Sequence, residues 1–578
     1  MTSLKENIMP SSIPDRSFNQ WDDNFVQSLE TPYGAAEYRE RAETLVKEVK
    51  ILLNEMQSGD VDVMERLEMV DALQCLGIDR YFGIEIKAIL DCVYRSWDEG
   101  VGLGLRCENT TRDLNATALG LRVLRLHRYD VSAVVLENYK DENGQFFSCR
   151  GNKDNNGIMT EEELVMRSML SLLRCSNVAF PGEIVMKEAK VFSSVYLKQI
   201  LEKSDDIYNK SLLKEVEYEL LYEFSQTFSR WEARNFIEIY ELDDLRLKDK
   251  RILELAKLDF NTLQSVYMME MKKLSSWWAN SGLSKLFAAR QRSVEYLLLG
   301  VGIVDELELS SSRMAVAKTS TIITMLDDLF DEYLTIEQVE LITKAIVQGW
   351  DISIMQNIPD NFKTIIDFSF KTVHELAVDA TKRQGRDMMQ FITKIWTDYV
   401  EANLQQARWN KSGYVPTYNE YIKVAATTAA IGPISLHAVL LAAPILGDNA
   451  IEKIFHNQSR FHELIWMCTR LVDDVHDFQD DKLNGQTASA ISSYMKDHPE
   501  VSEDEALRHI KKLLSQFLME LTWEFLNPKN ISLDWEKICF NISRGMQCFY
   551  VFGDGFSYHD KGVKERVFKV LVDPVKNH

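Results

Sequence analysis

Glycine and proline are scarce in this chain of 578 residues, which contains 25 glycines and 11 prolines. Average proteins contain roughly 7% glycine and 5% proline. Both residues destabilise the interior of a helix. No convincing run of alternating apolar and polar residues bounded by turns is present, which argues against a β-sheet protein. The sequence therefore predicts an all-α protein.

Positive charge is also in short supply. The chain has 66 lysines and arginines against 88 aspartates and glutamates, and its formal net charge is −22. Tight binding to a nucleic acid backbone requires clustered basic residues that displace counterions, so we expect no nucleic acid partner. The same negative field repels a small anionic substrate, which would need a local cationic or metal-filled cavity.

Targeting and cross-linking signals are missing as well. The eight cysteines lack the short paired spacings of zinc sites or disulfide frameworks. Residues 1–20 contain no apolar signal core, and their acidic and basic side chains balance, unlike those of a transit peptide. No uninterrupted apolar run of about 18 residues occurs. We therefore expect a cytoplasmic protein without stable membrane insertion.

The length and the periodicity together predict two helical domains. Single hydrophobic cores stop growing near about 250–300 residues, so this chain should divide into two. Apolar residues three and four apart predict helices over residues 36–56, 161–174 and 506–526. A charged stretch over residues 234–250 interrupts that pattern. We place the domain boundary there and predict domains at residues 1–235 and 236–578.

The first candidate site is an acidic cluster that directly follows an apolar run. It contains Asp327, Asp328 and Asp331. On a helix with about 100° per residue, Asp327 and Asp331 lie about 40° apart and can reach one group of ions. Mg²⁺ prefers oxygen ligands of this kind and is often shared with substrate phosphates. Taken alone, the cluster also fits a solvated helix end.

A second acidic cluster makes a metal site the better interpretation. Asp473, Asp477 and Asp481 are spaced i, i+4, i+8 and cover an arc of about 80° on a helix. Replacing Asp473 by Asp474 gives an equally good face, so the periodicity leaves open which of the two is a ligand. The apolar residues just before the cluster predict that this helix is buried. Two such rows facing each other would hold several cations.

Arginines and aromatic residues could complete the site. Arg290, Arg292 and Arg470 could supply the cationic lining that an anionic substrate needs, because guanidinium forks match phosphate oxygens. Trp278 and the aromatic segment 549–558 provide ring faces, which stabilise cations without supplying a nucleophile. Gly553 and Gly555 within that segment could hinge a loop that keeps water out.

Together these features resemble the class I terpene synthases of plants, and the likeness covers nearly the whole chain. Four motifs occur in the family's order and spacing: SSWW at 275–278, RQR at 290–292, DDLFD at 327–331 and the second acidic cluster at 473–481. The segments at 28–34, 65–82 and 488–499 resemble the conifer sesquiterpene synthases of the longifolene-synthase type in particular.

The resemblance implies a fold and an activity. It implies an N-terminal helical barrel related to class II cyclases and a C-terminal class I helical bundle that holds the active site. Only the second domain should be catalytic, because the nearest string to the class II acid motif, ELDD at 241–244, begins with the wrong residue. The implied reaction is the Mg²⁺-dependent ionisation of farnesyl diphosphate and cyclisation to a sesquiterpene hydrocarbon such as longifolene, with release of diphosphate. Three ions, replaceable by Mn²⁺, and a monomer are implied as well.

The resemblance also assigns roles to individual residues. The implied metal ligands are Asp327, Asp328, Asp331, Asp473 or Asp474, Asp477 and Asp481. Arg290, Arg292 and Arg470 would bind diphosphate, Trp278 would face the carbocation, and Asp554 matches the family's C-terminal aspartate. The chain departs from the family at Asp477, where the usual residue is Ser or Thr, and at Asp481, where it is Glu. The GP at 432–433 matches a break in a pocket helix and offers a physical cause for it.

Several alternatives share part of this evidence. A monoterpene synthase or one that releases an acyclic, farnesene-type product would use the same site, but the tandem arginines of many monoterpene synthases are missing before Trp21. A chain-elongating prenyl transferase also uses aspartate-rich helices, normally in a single shorter domain. A non-catalytic helical scaffold would use the acidic residues only for solubility.

Overall fold

The structure is a computed structural model, and it describes residues 21–58, 61–103, 113–147, 160–203, 209–243, 247, 249–283, 290–447, 450–451, 459–483, 485–527, 534–556 and 561–576. Some residues named from the sequence lie outside these ranges, namely residues 1–20, Cys107, Cys149, Asp244, Ser557 and Tyr558. Within them the chain is helical, and the β-type pairings are two isolated bridges, Asp98 with Gly102 and Lys140 with Phe146. The predicted all-α fold is confirmed.

The first half of the chain folds into helices of moderate length. In order they are α1 (Asp23–Ser28), α2 (Ala36–Glu55), α3 (Val63–Cys75), α4 (Gly83–Arg95), α5 (Leu114–Leu126), α6 (Glu161–Ser176), α7 (Ile184–Lys203), α8 (Lys210–Leu221) and α9 (Ser229–Glu241). Short 3₁₀ segments lie at Pro32–Gly34, Asp79–Tyr81, Ala133–Tyr139 and Phe224–Gln226. The predicted helices over residues 36–56 and 161–174 match α2 and α6.

The second half contains longer helices. They are α10 (Lys250–Ser281), α11 (Ser293–Ile303), α12 (Ser310–Asp328), α13 (Ile336–Val347), α14 (Asp360–Gln384), α15 (Met389–Ser412), α16 (Tyr418–Thr428), α17 (Ile431–Ala442), α18 (Arg460–Leu483), α19 (Ala490–Asp497), α20 (Glu503–Leu526), α21 (Asp534–Phe549) and α22 (Lys561–Val567). Further 3₁₀ segments lie at Leu307–Leu309 and Ile352–Ile354, and π-helical turns at Leu329–Tyr333 and Phe568–Val572. The predicted helix over residues 506–526 matches α20.

Local sequence explains many of these helix boundaries. Five helices begin with a capping box, in which a Ser or Thr side chain and a residue three positions later satisfy each other's backbone N–H groups. The N-cap residues are Thr160, Thr335, Thr417, Ser489 and Ser502. At the other end, α10 and α15 stop at glycines in the left-handed conformation, Gly282 and Gly413, which suit glycine because it has no Cβ.

The helices are interrupted within the predicted residues 234–250, but the interruption begins later than residue 234. Helix α9 continues to Glu241, because Phe236, Ile237 and Ile239 bury an apolar face within the charged stretch. Residue 235 therefore lies inside a helix, and the gap between helices falls after Glu241 and before Lys250. The domain boundary near residue 235 stays a prediction.

The helices that carry the site pack tightly. Between α11 and α12, a Cβ at Gly300 would lie 2.9 Å from the carbonyl oxygen of Arg313, so only glycine allows this approach. Ser312 of α12 donates to the Ala438 carbonyl of α17 at 2.9 Å. The buried Arg313 pairs with Glu270 of α10 at 2.8 Å. Helix α12 is thereby fixed from three sides before it reaches the acidic cluster.

Residues 418–442 form the stretch that by length and composition could cross a membrane. In the structure this stretch is divided between α16 and α17, and 78% of its most apolar window is buried inside the protein. Ala430, at the division, has φ 60° and ψ 11°. The stretch therefore has the burial of core helices.

Candidate active site

A cavity of about 750 Å³ opens in the second half of the chain. Its walls come from α11, α12, α13, α15, the α16–α17 break, α18 and the end of α21. The lining includes the carboxylates of both acidic clusters together with Arg290 and Arg470. It also includes aliphatic and aromatic side chains, among them Leu299, Ile323, Val339, Ile434, Met546 and Phe556. The cavity thus combines an ionic lining with an apolar one.

The first acidic cluster lies where α12 ends and the π-helical turn begins. Asp327, Asp328 and Asp331 all line the cavity. Asp327 accepts a hydrogen bond from the hydroxyl of Tyr399, which lies on α15. Asp328 is buried, and its carboxylate accepts from Arg290 Nε at 2.7 Å and from the Arg290 backbone N–H at 3.2 Å. Asp327 and Asp331 therefore face the cavity with less of their carboxylate engaged than Asp328.

The second cluster lies on α18, and the structure separates its two neighbouring aspartates. Asp473 lines the cavity, and its side chain is 30% exposed. Asp474 does not line the cavity and is 1% exposed. Its carboxylate accepts from Tyr421 at 2.8 Å, from the Ala490 backbone N–H at 2.8 Å and from Arg470 at 2.6 Å. The cavity face of α18 is therefore the i, i+4, i+8 row of Asp473, Asp477 and Asp481, with Asp480 beside it.

The three predicted arginines lie in different surroundings. Arg290 and Arg470 line the cavity and pair with carboxylates, Arg290 with Asp328 and Arg470 with Asp473 and Asp474. Arg292 is 1% exposed and lies outside the cavity lining. Burial raises the pKa of the neighbouring Glu295, and the charge of Arg292 opposes that rise. Two of the three predicted arginines therefore accompany the acidic rows inside the cavity, where Lys411 also belongs to the lining.

The electrostatics of the acidic clusters favour protonation when no cation is present. Desolvation raises the pKa of Asp327 to about 6, although the hydrogen bond from Tyr399 acts in the opposite direction. Desolvation, followed by the charge of Asp327, raises the pKa of Asp331 to about 7. Desolvation and the charge of Asp554 raise the pKa of Asp477 as well. Burial and the charge of Asp327 raise the pKa of Tyr399, so its hydroxyl keeps its proton. Without a bound cation, these carboxylates therefore bind protons more readily than ordinary aspartates do.

The donor set fits a hard divalent cation. Among the described residues, Asp477 Oδ1 is a buried oxygen without a hydrogen-bond partner. No three carboxylate, histidine or cysteine side chains in the described part of the chain are close enough to enclose an ion by themselves. Mg²⁺ commonly takes only one or two carboxylates and completes its shell with water and substrate phosphates. These rows therefore suit Mg²⁺ that is shared with a phosphate-bearing ligand.

Aromatic rings form part of the cavity lining. Phe556 stacks on Phe549 with ring centroids 4.6 Å apart and lies 6.1 Å from Tyr296 and 5.6 Å from Tyr550. Tyr296, Tyr550 and Phe556 line the cavity. The loop that carries Phe556 is anchored by the Gly555 backbone N–H, which donates to the Phe549 carbonyl at 3.2 Å. Ring faces and a covering loop are what a reactive cation needs to avoid water.

Two predicted site residues lie behind the cavity wall. Trp278 is 5% exposed and is absent from the cavity lining, and its indole N–H finds no partner in the described structure. Asp554 is also buried outside the lining, and it accepts from the Phe556 backbone N–H at 2.8 Å. Its negative charge acts on Asp477. Asp554 thus connects the covering loop to the second acidic row.

The break between α16 and α17 brings backbone into the cavity wall. Thr428, Ala429 and Ala430 line the cavity. The left-handed conformation falls on Ala430 and not on the glycine of the GP pair. Gly432 is instead required for packing, since a Cβ there would lie 2.8 Å from Ile395 Cδ1. Pro433 lies in the first turn of α17, where the missing N–H costs no helical hydrogen bond.

Sequence reasoning missed Tyr399 and Tyr421, and it considered Tyr550 only as one ring of the aromatic segment 549–558. Tyr399 donates to Asp327, Tyr421 to Asp474 and Tyr550 to Asp473. Tyr399 and Tyr421 lie on different helices from their aspartates and Tyr550 directly follows α21, so no spacing within a motif could reveal the pairs. Their position in otherwise apolar helix faces is the signal that was available, because a buried tyrosine hydroxyl usually finds a partner.

Comparison with known proteins agrees with this arrangement. Residues 20–220 match the family model described as terpene synthase, N-terminal domain, and residues 279–518 match the one described as terpene synthase family, metal binding domain. The chain is 44% identical over 584 residues to a delta-selinene-like synthase, chloroplastic, of Picea sitchensis, covering 100% of this chain and 99% of the relative. It is 43% identical over 583 residues to longifolene synthase of Picea abies, covering 99% of each.

A solved structure shares the fold over nearly the whole length. Isoprene synthase from grey poplar leaves, in complex with three Mg²⁺ ions and dimethylallyl-S-thiolodiphosphate, superposes with a TM-score of 0.81. It is 28% identical and covers 96% of this chain and 99% of its own. The chain described here belongs to the terpene synthase family, and it carries both the N-terminal and the metal-binding domain of that family.

Proposed function

We propose that this protein is a sesquiterpene synthase that ionises farnesyl diphosphate and guides the carbocation to a sesquiterpene hydrocarbon such as longifolene, with release of diphosphate. The observation that carries the proposal is a single cavity lined by carboxylates, arginines and apolar side chains. A substrate with a diphosphate head and a fifteen-carbon tail needs both kinds of lining. The conifer relatives at 43% and 44% identity, named for longifolene and delta-selinene, support a C15 substrate.

We assign the metal to the carboxylates of Asp327, Asp331, Asp473, Asp477 and Asp481. The three ions in the isoprene synthase complex support three Mg²⁺ here, and Mn²⁺ has the same preference for oxygen ligands. When bound, Mg²⁺ stabilises the negative charge that develops on the departing diphosphate. Asp328 and Asp474, whose carboxylates are held by Arg290 and by Tyr421 and Arg470, are assigned to positioning these arginines.

The chain's own residues bind the head group and shelter the tail. Arg290 and Arg470 offer guanidinium forks to the diphosphate oxygens. Tyr296, Tyr550 and Phe556 present rings to the cationic chain, and the loop that carries Phe556 excludes water. Arg292 and Trp278 lie behind the wall and are assigned to its support. Asp554 orients Asp477 through their contact.

The remaining parts of the proposal concern the whole molecule. The N-terminal domain is proposed to be catalytically silent, since its nearest acid motif starts with Glu241 in place of aspartate. A monomer in the cytoplasm is also part of the proposal. Since the Picea sitchensis relative is named chloroplastic, a fluorescent fusion of the full chain tests the location, and plastid fluorescence would contradict it.

The activity is tested by analysing hydrocarbons from the purified full-length protein with farnesyl diphosphate and Mg²⁺. Cyclic sesquiterpenes and free diphosphate are expected, and removal of Mg²⁺ by chelation should stop their formation. Asp327→Asn should also stop it while the far-ultraviolet circular dichroism stays unchanged. Acyclic products alone would point to a farnesene-type synthase. A longer prenyl diphosphate formed when isopentenyl diphosphate is added would show a prenyl transferase and overturn the proposal.

A further inference from the structure

Asp327 is held from behind by a residue on another helix. Tyr399, on α15, donates its hydroxyl to Asp327 Oδ1. Asp327 lines the cavity, whereas Tyr399 is fully buried and lies outside the lining. The hydroxyl therefore approaches the carboxylate from the side away from the cavity. This contact occupies Oδ1 and leaves Oδ2 for a ligand inside the cavity.

The position of Tyr399 is itself fixed by packing. Its ring meets the edge of Trp396 with centroids 5.8 Å apart and planes at 89°. The indole N–H of Trp396 donates to His437 Nε2 on α17 at 3.3 Å. Trp396, Tyr399 and His437 are all fully buried. The tyrosine hydroxyl thus has little freedom to follow the carboxylate, and the carboxylate must adopt the orientation that the hydroxyl imposes.

The same device recurs in the second acidic row. Tyr550 donates its hydroxyl to Asp473 Oδ1. Asp327 and Asp473 are each the first cavity-facing aspartate of their row. Across the described residues, the structure gives Asp331 no such hydroxyl donor. A tyrosine therefore orients one carboxylate in each row.

We infer that Tyr399 is a positioning residue that orients Asp327 toward Mg²⁺ and thereby sets the concentration of Mg²⁺ at which the ion binds, and that Tyr550 does the same for Asp473. The inference rests on the proposed function, since it assumes that both aspartates are metal ligands. Groups that hydrogen-bond to metal ligands fix their orientation, and their removal typically weakens metal binding about 10–100-fold.

Tyr421 offers a matched control. Like Tyr399, it is a fully buried tyrosine whose hydroxyl donates to an aspartate. Its acceptor, at 2.8 Å, is Asp474, which lies outside the cavity lining. Tyr421→Phe removes the same hydroxyl group from a comparable environment. It should lower thermal stability without changing the Mg²⁺ requirement, because Asp474 does not face the ion.

The experiment measures binding and not turnover. The melting temperature of the full-length protein is recorded in a fixed concentration of inorganic diphosphate while Mg²⁺ is increased, and the Mg²⁺ concentration for half of the maximal rise is compared among variants. Tyr399→Phe should raise that concentration about 10-fold or more, and Tyr421→Phe should leave it at the wild-type value. In an Asp327→Asn background, Tyr399→Phe should have no further effect.

Each outcome decides between the two proposals. An unchanged Mg²⁺ requirement in a folded Tyr399→Phe variant, or an equal increase in Tyr421→Phe, would overturn the inference and leave the proposed function intact. A wild-type protein that shows no Mg²⁺-dependent rise would contradict the proposed function instead. Should Tyr399→Phe fail to fold, Tyr550→Phe carries the test, since Tyr550 belongs to the cavity lining and follows the end of α21, and the same increase of about 10-fold is expected there.

Discussion

Tyr421 donates its hydroxyl to both carboxylate oxygens of Asp474 at 2.8 Å, and this contact distinguishes Asp474 from its neighbour Asp473. Asp474 also accepts from a backbone N–H at the start of α19 and from Arg470. Its carboxylate therefore joins α16, α18 and α19 and has no oxygen facing the cavity. Asp473, one residue earlier, does face it.

The two aspartates should respond oppositely to the same substitution. Asp473→Asn should reduce kcat sharply, because the residue is proposed to hold Mg²⁺, and it should cost little stability, because Asp473 is 30% exposed and Asp474 still pairs with Arg470. Asp474→Asn should instead destabilise the fold, since Asp474 is 1% exposed and breaking a buried pair costs about 3–5 kcal/mol. Urea unfolding and single-turnover kinetics on both variants measure the contrast. A loss of stability in Asp473→Asn with full activity would reverse the assignment.

The stabilisation conferred by Mg²⁺ should increase with pH. The pKa values of Asp327, about 6, and Asp331, about 7, lie above that of an ordinary aspartate. The folded, metal-free protein therefore holds protons that the unfolded chain releases near pH 4, and it loses this stabilisation as the pH rises through 6 and 7. Mg²⁺ competes with those protons, so it contributes little at pH 5.5 and most at pH 8.

Melting temperatures with and without Mg²⁺ and inorganic diphosphate, recorded between pH 5.5 and 8, check this prediction. Without metal the melting temperature should fall across the window, and the rise on adding Mg²⁺ should grow. Asp327→Asn should show a weaker pH dependence. A Mg²⁺-induced rise of equal size at both ends of the range would contradict the raised pKa values.

Ala430 should tolerate glycine better than its neighbour does. Its φ of 60° is a left-handed conformation that costs a residue with a Cβ about 1–2 kcal/mol. Ala430→Gly should therefore leave stability unchanged or raise it by up to about 1 kcal/mol. Ala429, with φ −60° and ψ −4°, gains nothing from glycine, and Ala429→Gly should lower stability. Chemical denaturation of the two variants compares them, and equal destabilisation would show that Ala430 is not strained.

Phe556 should control the escape of the cation to water. Removing the Phe556 ring opens the cavity lining and deletes a contact between the ring and the cation worth about 0.5–2 kcal/mol. Phe556→Ala should lower kcat about 2–30-fold and increase the share of hydroxylated products in gas chromatography. Phe552→Ala, on the same segment but 51% exposed and outside the lining, is the control. An unchanged hydrocarbon profile in Phe556→Ala would assign this ring to packing.

Much of the fold could be predicted because helical periodicity is a local property. The helix predicted over residues 36–56 appears as Ala36–Glu55, since its buried Leu45, Val49 and Leu53 are four residues apart. The interruption predicted over residues 234–250 begins only after Glu241, because charge alone does not end a helix whose apolar face continues through Phe236 and Ile237. The sequence showed the polarity of that segment but not what its apolar face packs against.

The candidate site could likewise be predicted in part from the sequence. Both acidic rows are contiguous motifs, and the structure places Asp327, Asp331, Asp473, Asp477 and Asp481 in one cavity, as their spacing predicts. The choice between Asp473 and Asp474 could not be made from periodicity, because it depends on Tyr421 from another helix. The positions of Arg292 and Trp278 behind the wall depend equally on tertiary packing. The spacing of residues along a helix shows which side chains share a face. Contacts with other helices decide whether that face lines the cavity.

The most direct test of the central claim compares kcat/KM for the C10, C15 and C20 prenyl diphosphates at one Mg²⁺ concentration. A C15 tail buries five more carbons than a C10 tail, and each buried CH₂ contributes about 0.8 kcal/mol, so even partial burial predicts a clear preference for C15 over C10. The C20 substrate should be turned over poorly, because close-packed walls do not yield readily. We expect the highest kcat/KM with farnesyl diphosphate, and cyclic C15 hydrocarbons as its products. Equal or greater efficiency with the C10 or C20 substrate would contradict it.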